Sequence, residues 1–224
     1  MLFLAVFCGF LAENFREHLT DKKKEHEYIQ SMTEDLKTEI NKLSIIDRDY
    51  GKLVTDLTFL LNHYDEFTDG DYILTHTNAL SALDGFTDYI YTDRTIDQLN
   101  NSGGMRLITN KAAADSIISY DAEARDLLIE ESGLGLVFTR VTEVLEKFIN
   151  RRAIRAYAVK YANHQPDLKK PDFLLTHDKQ SVEGFYNLLA DYRNTVMSKR
   201  EQAIRLEEKA KRVKNYLQKE YGLE

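Results

Sequence analysis

The side chains able to bind metals or move protons are scattered along this chain rather than clustered. Six histidines stand at positions 18, 26, 63, 76, 164 and 177. None lies three residues after a glutamate, so the Glu-x-x-His pairs that build di-iron sites in helical bundles are missing, and His26-Glu27 is not followed by a second histidine at helical spacing. Asp65, Asp69, Gly70 and Asp71 match four positions of a calcium-binding loop. Phe67, Ile73 and His76 then occupy positions that need oxygen ligands, which makes the segment an acidic solvated turn. Gly133-x-Gly135 has no preceding strand and no third glycine, and so is no dinucleotide loop. Cys8 is the single cysteine and sits inside an apolar run, so disulfides are excluded and its simplest role is that of a small apolar residue. These residues lead us to expect no catalytic residue, no metal, no cofactor and no enzyme activity.

Composition narrows the class further. The chain has 224 residues, 30 Lys+Arg against 37 Asp+Glu, two prolines and ten glycines. An apolar fraction of 43% supplies a core, and a charged fraction of 30% suits long solvent-facing helices, which argues against both a disordered chain and a multi-span membrane protein. A net charge of -7 argues against general binding to nucleic acid, which requires a positive surface to displace counterions.

Residues 2 to 12 (LFLAVFCGFLA) form an uncharged apolar run closed by Glu13, Asn14 and Arg16. Eleven helical residues cover about 16 Å, about half of a hydrocarbon core of about 30 Å, so the run is too short to span alone. It has no basic region before it and a poor small-residue cleavage site, unlike a secretory signal. Phe7 before Cys8 likewise disfavours lipoprotein processing. The expectation is a truncated membrane-anchor helix, the C-terminal half of a span whose beginning is missing; the alternative is a hydrophobic end buried in an oligomer. Arg16 and Lys22 to Lys24 follow the run, but one flank alone does not set orientation by the positive-inside tendency.

Both prolines, Pro166 and Pro171, fall between Ala162 and Asp178, and the rest of the chain is free of the strongest helix breaker. Apolar residues repeat every seven positions in three long segments. The first carries Ile29, Leu36, Leu43, Tyr50, Leu57 and Tyr64 beside Met32, Glu39, Ile46, Leu53, Leu60 and Phe67. The second carries Ile117, Ala124, Glu131, Phe138 and Leu145 beside Tyr120, Leu127, Leu134, Val141 and Phe148, with Gly133 and Gly135 inside a continuous helix and heights counted on to Lys160. The third carries Val182, Leu189, Val196, Ala203, Ala210 and Leu217 beside Phe185, Tyr192, Lys199, Leu206 and Val213, ending near Tyr221-Gly222. A shorter helix is expected over Thr75 to Tyr91 with Ala79, Leu83, Phe86 and Ile90 on one face. A small one follows over Thr95 to Asn101, with Thr95 and Gln98 at capping-box spacing, Gly103-Gly104 as its stop, and Asn110 capping the next helix. The fold class is therefore all-α: an elongated antiparallel helical bundle of three long and two short helices, about 60 to 75 Å long. The expected division is residues 1–20 as anchor helix and juxtamembrane segment and residues 21–224 as the bundle domain.

Three segments, GFLAEN at 9–14, KKKEHEYIQSMTEDLKTEI at 22–40 and TIDQLNNSGGMRLITN at 95–110, carry a resemblance over nearly the whole chain. The chain resembles an uncharacterised family of small bacterial membrane proteins with one N-terminal span and a helical extramembrane domain. The resemblance implies a single-pass protein of the inner membrane with the helical domain in the periplasm, and it brings no activity, substrate or catalytic residue.

Charge is uneven. Lys199 to Lys219 and Lys147 to Lys160 each carry +5, and Asp65 to Asp97 carries -7. Such runs are usually solvated faces; if the basic tail returns to the membrane it would also attract anionic headgroups. Charges at core heptad positions need partners, so Glu39 and Glu131 are expected to form a polar layer with Arg205 or Lys209 turned inward, the alternative being that both glutamates swing to solvent and Ile40 fills the core beside Glu39. The functional expectation is a non-enzymatic membrane-anchored interaction or scaffold module, self-associating or an accessory subunit of an envelope complex, with membrane lipid as partner through the N-terminal helix. A ligand-sensing four-helix-bundle domain is the alternative.

Overall fold

A computed structural model describes residues 2–65, 83, 85–162 and 173–223 of the chain. These residues form five α-helices and one 3-10 turn joined by non-helical connections, and contain no strand. Helix α1 is Leu2–Asn62, α2 is Arg94–Asn101, α3 is Lys111–Phe148, α4 is Arg151–Ala162 and α5 is Lys179–Tyr221; the 3-10 turn is Gly104–Leu107. The 61 residues of α1 make a rod about 90 Å long at 1.5 Å per residue. Among the described residues three helices are long and two are short.

The chain folds as two compact units, the first Met1–Ser44, Ile90–Asp126 and Ile204–Glu224, the second Ile45–Tyr89 and Leu127–Ala203. In the first, Ile29, Met32, Leu36 and Leu43 of α1 are buried, as are Ile117, Tyr120 and Ala124 of α3 and Leu206, Ala210, Val213 and Leu217 of α5. In the second, Tyr50, Leu53 and Leu57 of α1, Leu134, Val141 and Phe148 of α3, and Phe185, Leu189 and Tyr192 of α5 are buried. Those are the seven-residue series of the sequence, since period-seven positions on an α-helix line one face. Phe148 stacks on Phe185 with ring centres 5.3 Å apart, and Phe138 tilts against Tyr192 at 5.9 Å. Lys199 occupies its core position 7% exposed, its ammonium ion-paired to Glu130 and 3.1 Å from Gln202 Oε1, which answers the cost of burying a charge.

Helix ends follow local chemistry. Asn110 Oδ1 accepts the Ala113 N–H at 3.2 Å, capping α3 as expected. Asp178 caps α5 by accepting the Ser181 N–H at 2.8 Å and its hydroxyl at 2.7 Å, and these bonds hold its carboxyl below the usual aspartate value. Gly222, at φ +62°, closes α5. Helix α3 runs unbroken through Gly133 and Gly135.

Three expectations are corrected. The helix expected over Thr75 to Tyr91 has residues 75–82 and 84 outside the described residues, and 85–91 are not helical. Side chains of α1 take the backbone groups that a helix would satisfy internally: Tyr50 Oη donates to the Thr87 carbonyl at 3.1 Å and Lys42 Nζ to the Ile90 carbonyl at 2.7 Å. The second short helix is instead α4. It exists because α3 stops at Phe148, Ile149 forms an isolated antiparallel bridge with Leu174, and Asn150 Oδ1 restarts the helix by accepting the Ala153 N–H at 3.0 Å. Heights counted from Glu131 to Lys160 on one helix therefore do not hold. The capping box of Thr95 and Gln98 also does not form; no side chain at the Asp93 cap position bonds into α2, and the Thr95 N–H turns to α1.

The two glycines after α2 do different work. Gly103 sits at φ +66°, where a side chain is strained, whereas Gly104 is buried where an added Cβ would lie 3.1 Å from the Tyr28 ring and 3.2 Å from Leu99 Cδ2. Replacing Gly103 or Gly104 by alanine is expected to destabilise the fold by about 1–2 kcal/mol in urea unfolding. Gly133→Ala, in open space within α3, is expected to stabilise by up to about 1 kcal/mol.

Candidate functional site: a row of buried carboxylates on the first helix

Among the described residues no group of three His, Cys, Asp or Glu side chains is placed to hold a metal ion. His18, His26 and His177 are exposed, and His63 Nδ1 lies 2.7 Å from the Phe59 carbonyl. His76, His164 and Asp69 to Asp71 lie outside the described residues.

What α1 does carry is three buried acids, Glu25, Asp35 and Glu39, exposed by 6%, 4% and 1%. Each accepts the main-chain N–H of a threonine in the first unit's connector, residues 91–110, which leads into α3. Glu25 Oε1 takes the Thr109 N–H at 2.7 Å, Asp35 Oδ2 the Thr95 N–H at 2.9 Å, and Glu39 Oε1 the Thr92 N–H at 2.9 Å. The remaining lone pairs are also engaged. Glu25 accepts the Thr109 hydroxyl at 3.1 Å and the Tyr221 hydroxyl at 2.7 Å, Asp35 accepts Arg94 Nη2 at 2.7 Å, and Lys42 Nζ lies 3.5 Å from Glu39. Such charge-assisted bonds are roughly twice as strong as neutral ones, and here they satisfy connector donors that have no helix of their own.

A second network lies in the same unit. Tyr91 Oη donates to Asp121 Oδ1 at 3.0 Å, and Arg125 reaches Asp121 at 3.0 Å and Asp97 at 2.7 Å with its guanidinium over the Tyr91 ring at 5.7 Å. The hydrogen bonds to Asp121 and Asp97 raise the Arg125 pKa despite some burial. Burial, then the negative charge of Asp121, pushes the Tyr91 phenol far above its usual range. The neighbouring Tyr120 is raised by burial and then by the negative charge of Glu39, which its hydroxyl approaches without making a well-formed hydrogen bond. With their carboxylates engaged by main-chain and side-chain donors, these residues clamp the connector to α1.

The expected polar layer is only partly recovered. Glu39 is buried, but its partners are Thr92 and Lys42, while Lys209 reaches the carboxylate of Glu123 and the Ser119 carbonyl at 2.7 Å. The alternative in which Glu39 swings to solvent is excluded by its burial; the Glu131 side chain lies outside the described residues. Glu25 and Asp35 were missed. A signal for Glu25 existed, because it stands seven residues before Met32 in the same series as Glu39; Asp35 adjoins Leu36 and has no such signal.

In the second unit a cavity of about 310 Å³ is lined by Asp49, Tyr50, Lys52, Asp56, Phe86 and Thr87, among others. Its acids are engaged: Asp56 by Lys52 at 2.8 Å, and Asp49 by the Thr87 hydroxyl at 2.8 Å and by Arg48 at 2.9 Å, which together lower the Asp49 pKa.

Removing one clamp strands a buried donor. Asp35→Ala is expected to cost about 2–4 kcal/mol in chemical unfolding, since the Thr95 N–H loses its acceptor and Arg94 its partner. Tyr91→Phe should cost about 1 kcal/mol and Tyr120→Phe less, because the Tyr120 hydroxyl makes no well-formed hydrogen bond. No known protein family, curated protein or solved structure matches this chain.

Proposed function

We propose that this chain is a non-enzymatic, membrane-anchored interaction module: residues 1–20 as anchor and juxtamembrane segment, and residues 21–224 as an elongated antiparallel helical bundle that binds other proteins or copies of itself. One observation carries the reading. Every described side chain from Phe3 to Lys24 is exposed, including Phe3 at 81%, Val6 at 67% and Phe10 at 67%, although the helix is continuous with a well-packed segment that begins at Glu25. An uncharged apolar run whose nine described residues, 3, 4 and 6–12, are all bare would be costly in water, and lipid is the medium that matches an apolar surface on all sides.

No helix among the described residues is long and apolar enough to cross a membrane by itself. In this reading the apolar run is part of a single span of a bacterial inner membrane, with the bundle in the periplasm; the resemblance of the three quoted segments to such proteins supports it. Saturation of the buried acids by structural donors supports a binding rather than a catalytic role. The cavity beside Tyr50 and Phe86 favours a second reading, a ligand-sensing bundle, but its acids are already paired with protein cations and a hydroxyl.

The full chain is expected to fractionate with membranes and to need detergent for extraction, and the same chain without residues 1–20 to be soluble with unchanged helical circular dichroism. Recovery of the full chain as a free monomer without detergent would sink the anchor. Light scattering of the detergent-extracted protein is expected to give more than one protomer mass.

A further inference from the structure

The bare part of α1 changes character beyond Ala12. Up to that residue apolar side chains cover every side of the helix; from Glu13 to Lys24 they occupy one side. At about 100° per residue, Leu11, Phe15 and Leu19 fall within about 40° of a common line, while Glu13 and Glu17 lie on the opposite side. Phe15 is 66% exposed, Leu19 52% and Leu11 49%. Charge is sorted in the same way. The apolar line continues into Lys22 with His18 beside it, whereas Glu13, Glu17 and Asp21 lie about 120° or more from the line; the first acid to approach that side is Glu25, where packing begins, and Lys24 lies on the side of the acids. Arg16 is held off the apolar side by its ion pair to Glu13, with Nε 3.0 Å from Glu13 Oε2.

From this sorting we infer that the juxtamembrane segment 13–22 lies obliquely in the lipid–water interface, its Leu11–Phe15–Leu19 side toward the bilayer and Lys22 at the level of the phosphates. The inference rests on the anchor reading and adds how the rod meets the surface. Leu19 is seven residues past Ala12, about 10 Å along the axis, while the headgroup layer is about 5–8 Å deep on each side. An upright rod leaves Leu19 in water. A tilt of about 40°, the upper end of what spans adopt, lowers it to about 5 Å above the hydrocarbon when its side faces down. Apolar residues on one side with Lys22 on their line, and Glu13 and Glu17 opposite, are the pattern of an interfacial helix. A second copy is the competing occupant, but within segment 13–22 it would find only Phe15 and Leu19, too few to supply the roughly 800 Å² per partner of a stable interface. Because α1 continues without interruption past Glu25, its angle at the surface is also the angle at which its packed residues 25–44 leave the membrane.

The test uses the full chain carrying Cys8→Ala and one of Glu13→Cys, Phe15→Cys, Glu17→Cys or Leu19→Cys, each with a nitroxide label. The labelled proteins are reconstituted into vesicles of phosphatidylethanolamine and phosphatidylglycerol after co-sedimentation has been measured. The ratio of accessibility to oxygen over a water-soluble nickel complex is expected to be on the order of threefold higher at positions 15 and 19 than at 13 and 17, a helical rhythm in depth. A smooth fall from 13 to 19 regardless of side would mean an upright rod and overturn the inference while leaving the anchor intact. Low accessibility to both reagents at 15 and 19, with label–label broadening, would assign the side to a second copy and also overturn it. Failure to co-sediment would overturn the anchor reading itself, and the inference with it.

Discussion

Main-chain N–H groups that leave a helix must find acceptors, and in the first unit of this protein that requirement is met by the acids of one long helix. The connector from Tyr91 to Asn110 holds only a two-turn helix and a 3-10 turn, so many of its amides lack internal partners. Glu39, Asp35 and Glu25 accept three of them in turn as the connector runs back along α1. Each bond fixes both the height and the face at which the connector crosses α1, and with them the starting point of α3. Tyr221 closes on the same Glu25, so the end of α5 is tied to this point too. Buried acids that would be a liability as isolated charges become registration points because every one meets fixed donors.

Glu25 also marks a change of environment along α1. Before it every described side chain is exposed; from it onward one face is packed. The rod itself does not change, being helical from Leu2 to Asn62 without a break. The tight seat of Gly104 against Tyr28, three residues past Glu25, closes the packed part of the rod at this point.

The cores of the two units use polar groups differently. In the first, Tyr91, Asp121, Arg125 and Asp97 form a connected network, while Tyr120 is buried beside it with an unmade bond. In the second, Lys199 holds a core position through Glu130, and the Tyr192 hydroxyl is buried without a partner. Large tyrosines fill the wide seams between long helices, and the stability they add comes from ring burial rather than from their hydroxyls.

Much of this fold was legible in the sequence. Period-seven series marked the three long helices and their buried faces from Ile29 to Leu217, because helical geometry alone decides which residues share a face. Asn110, Gly103 and Gly222 announced ends, since caps and positive φ depend on adjacent residues only. The bare apolar run was equally plain. Tertiary structure alone decided the rest. Residues 85–91 carry apolar spacing that reads as a helix, yet Tyr50 and Lys42, far away in sequence, claim their carbonyls. Asn150 and Leu174 break a series that could have continued past Phe148, and Asp35 takes the amide that a local capping box would have held. In each case a side chain from another segment outcompetes a local bond, and sequence spacing carries no information about which distant group arrives.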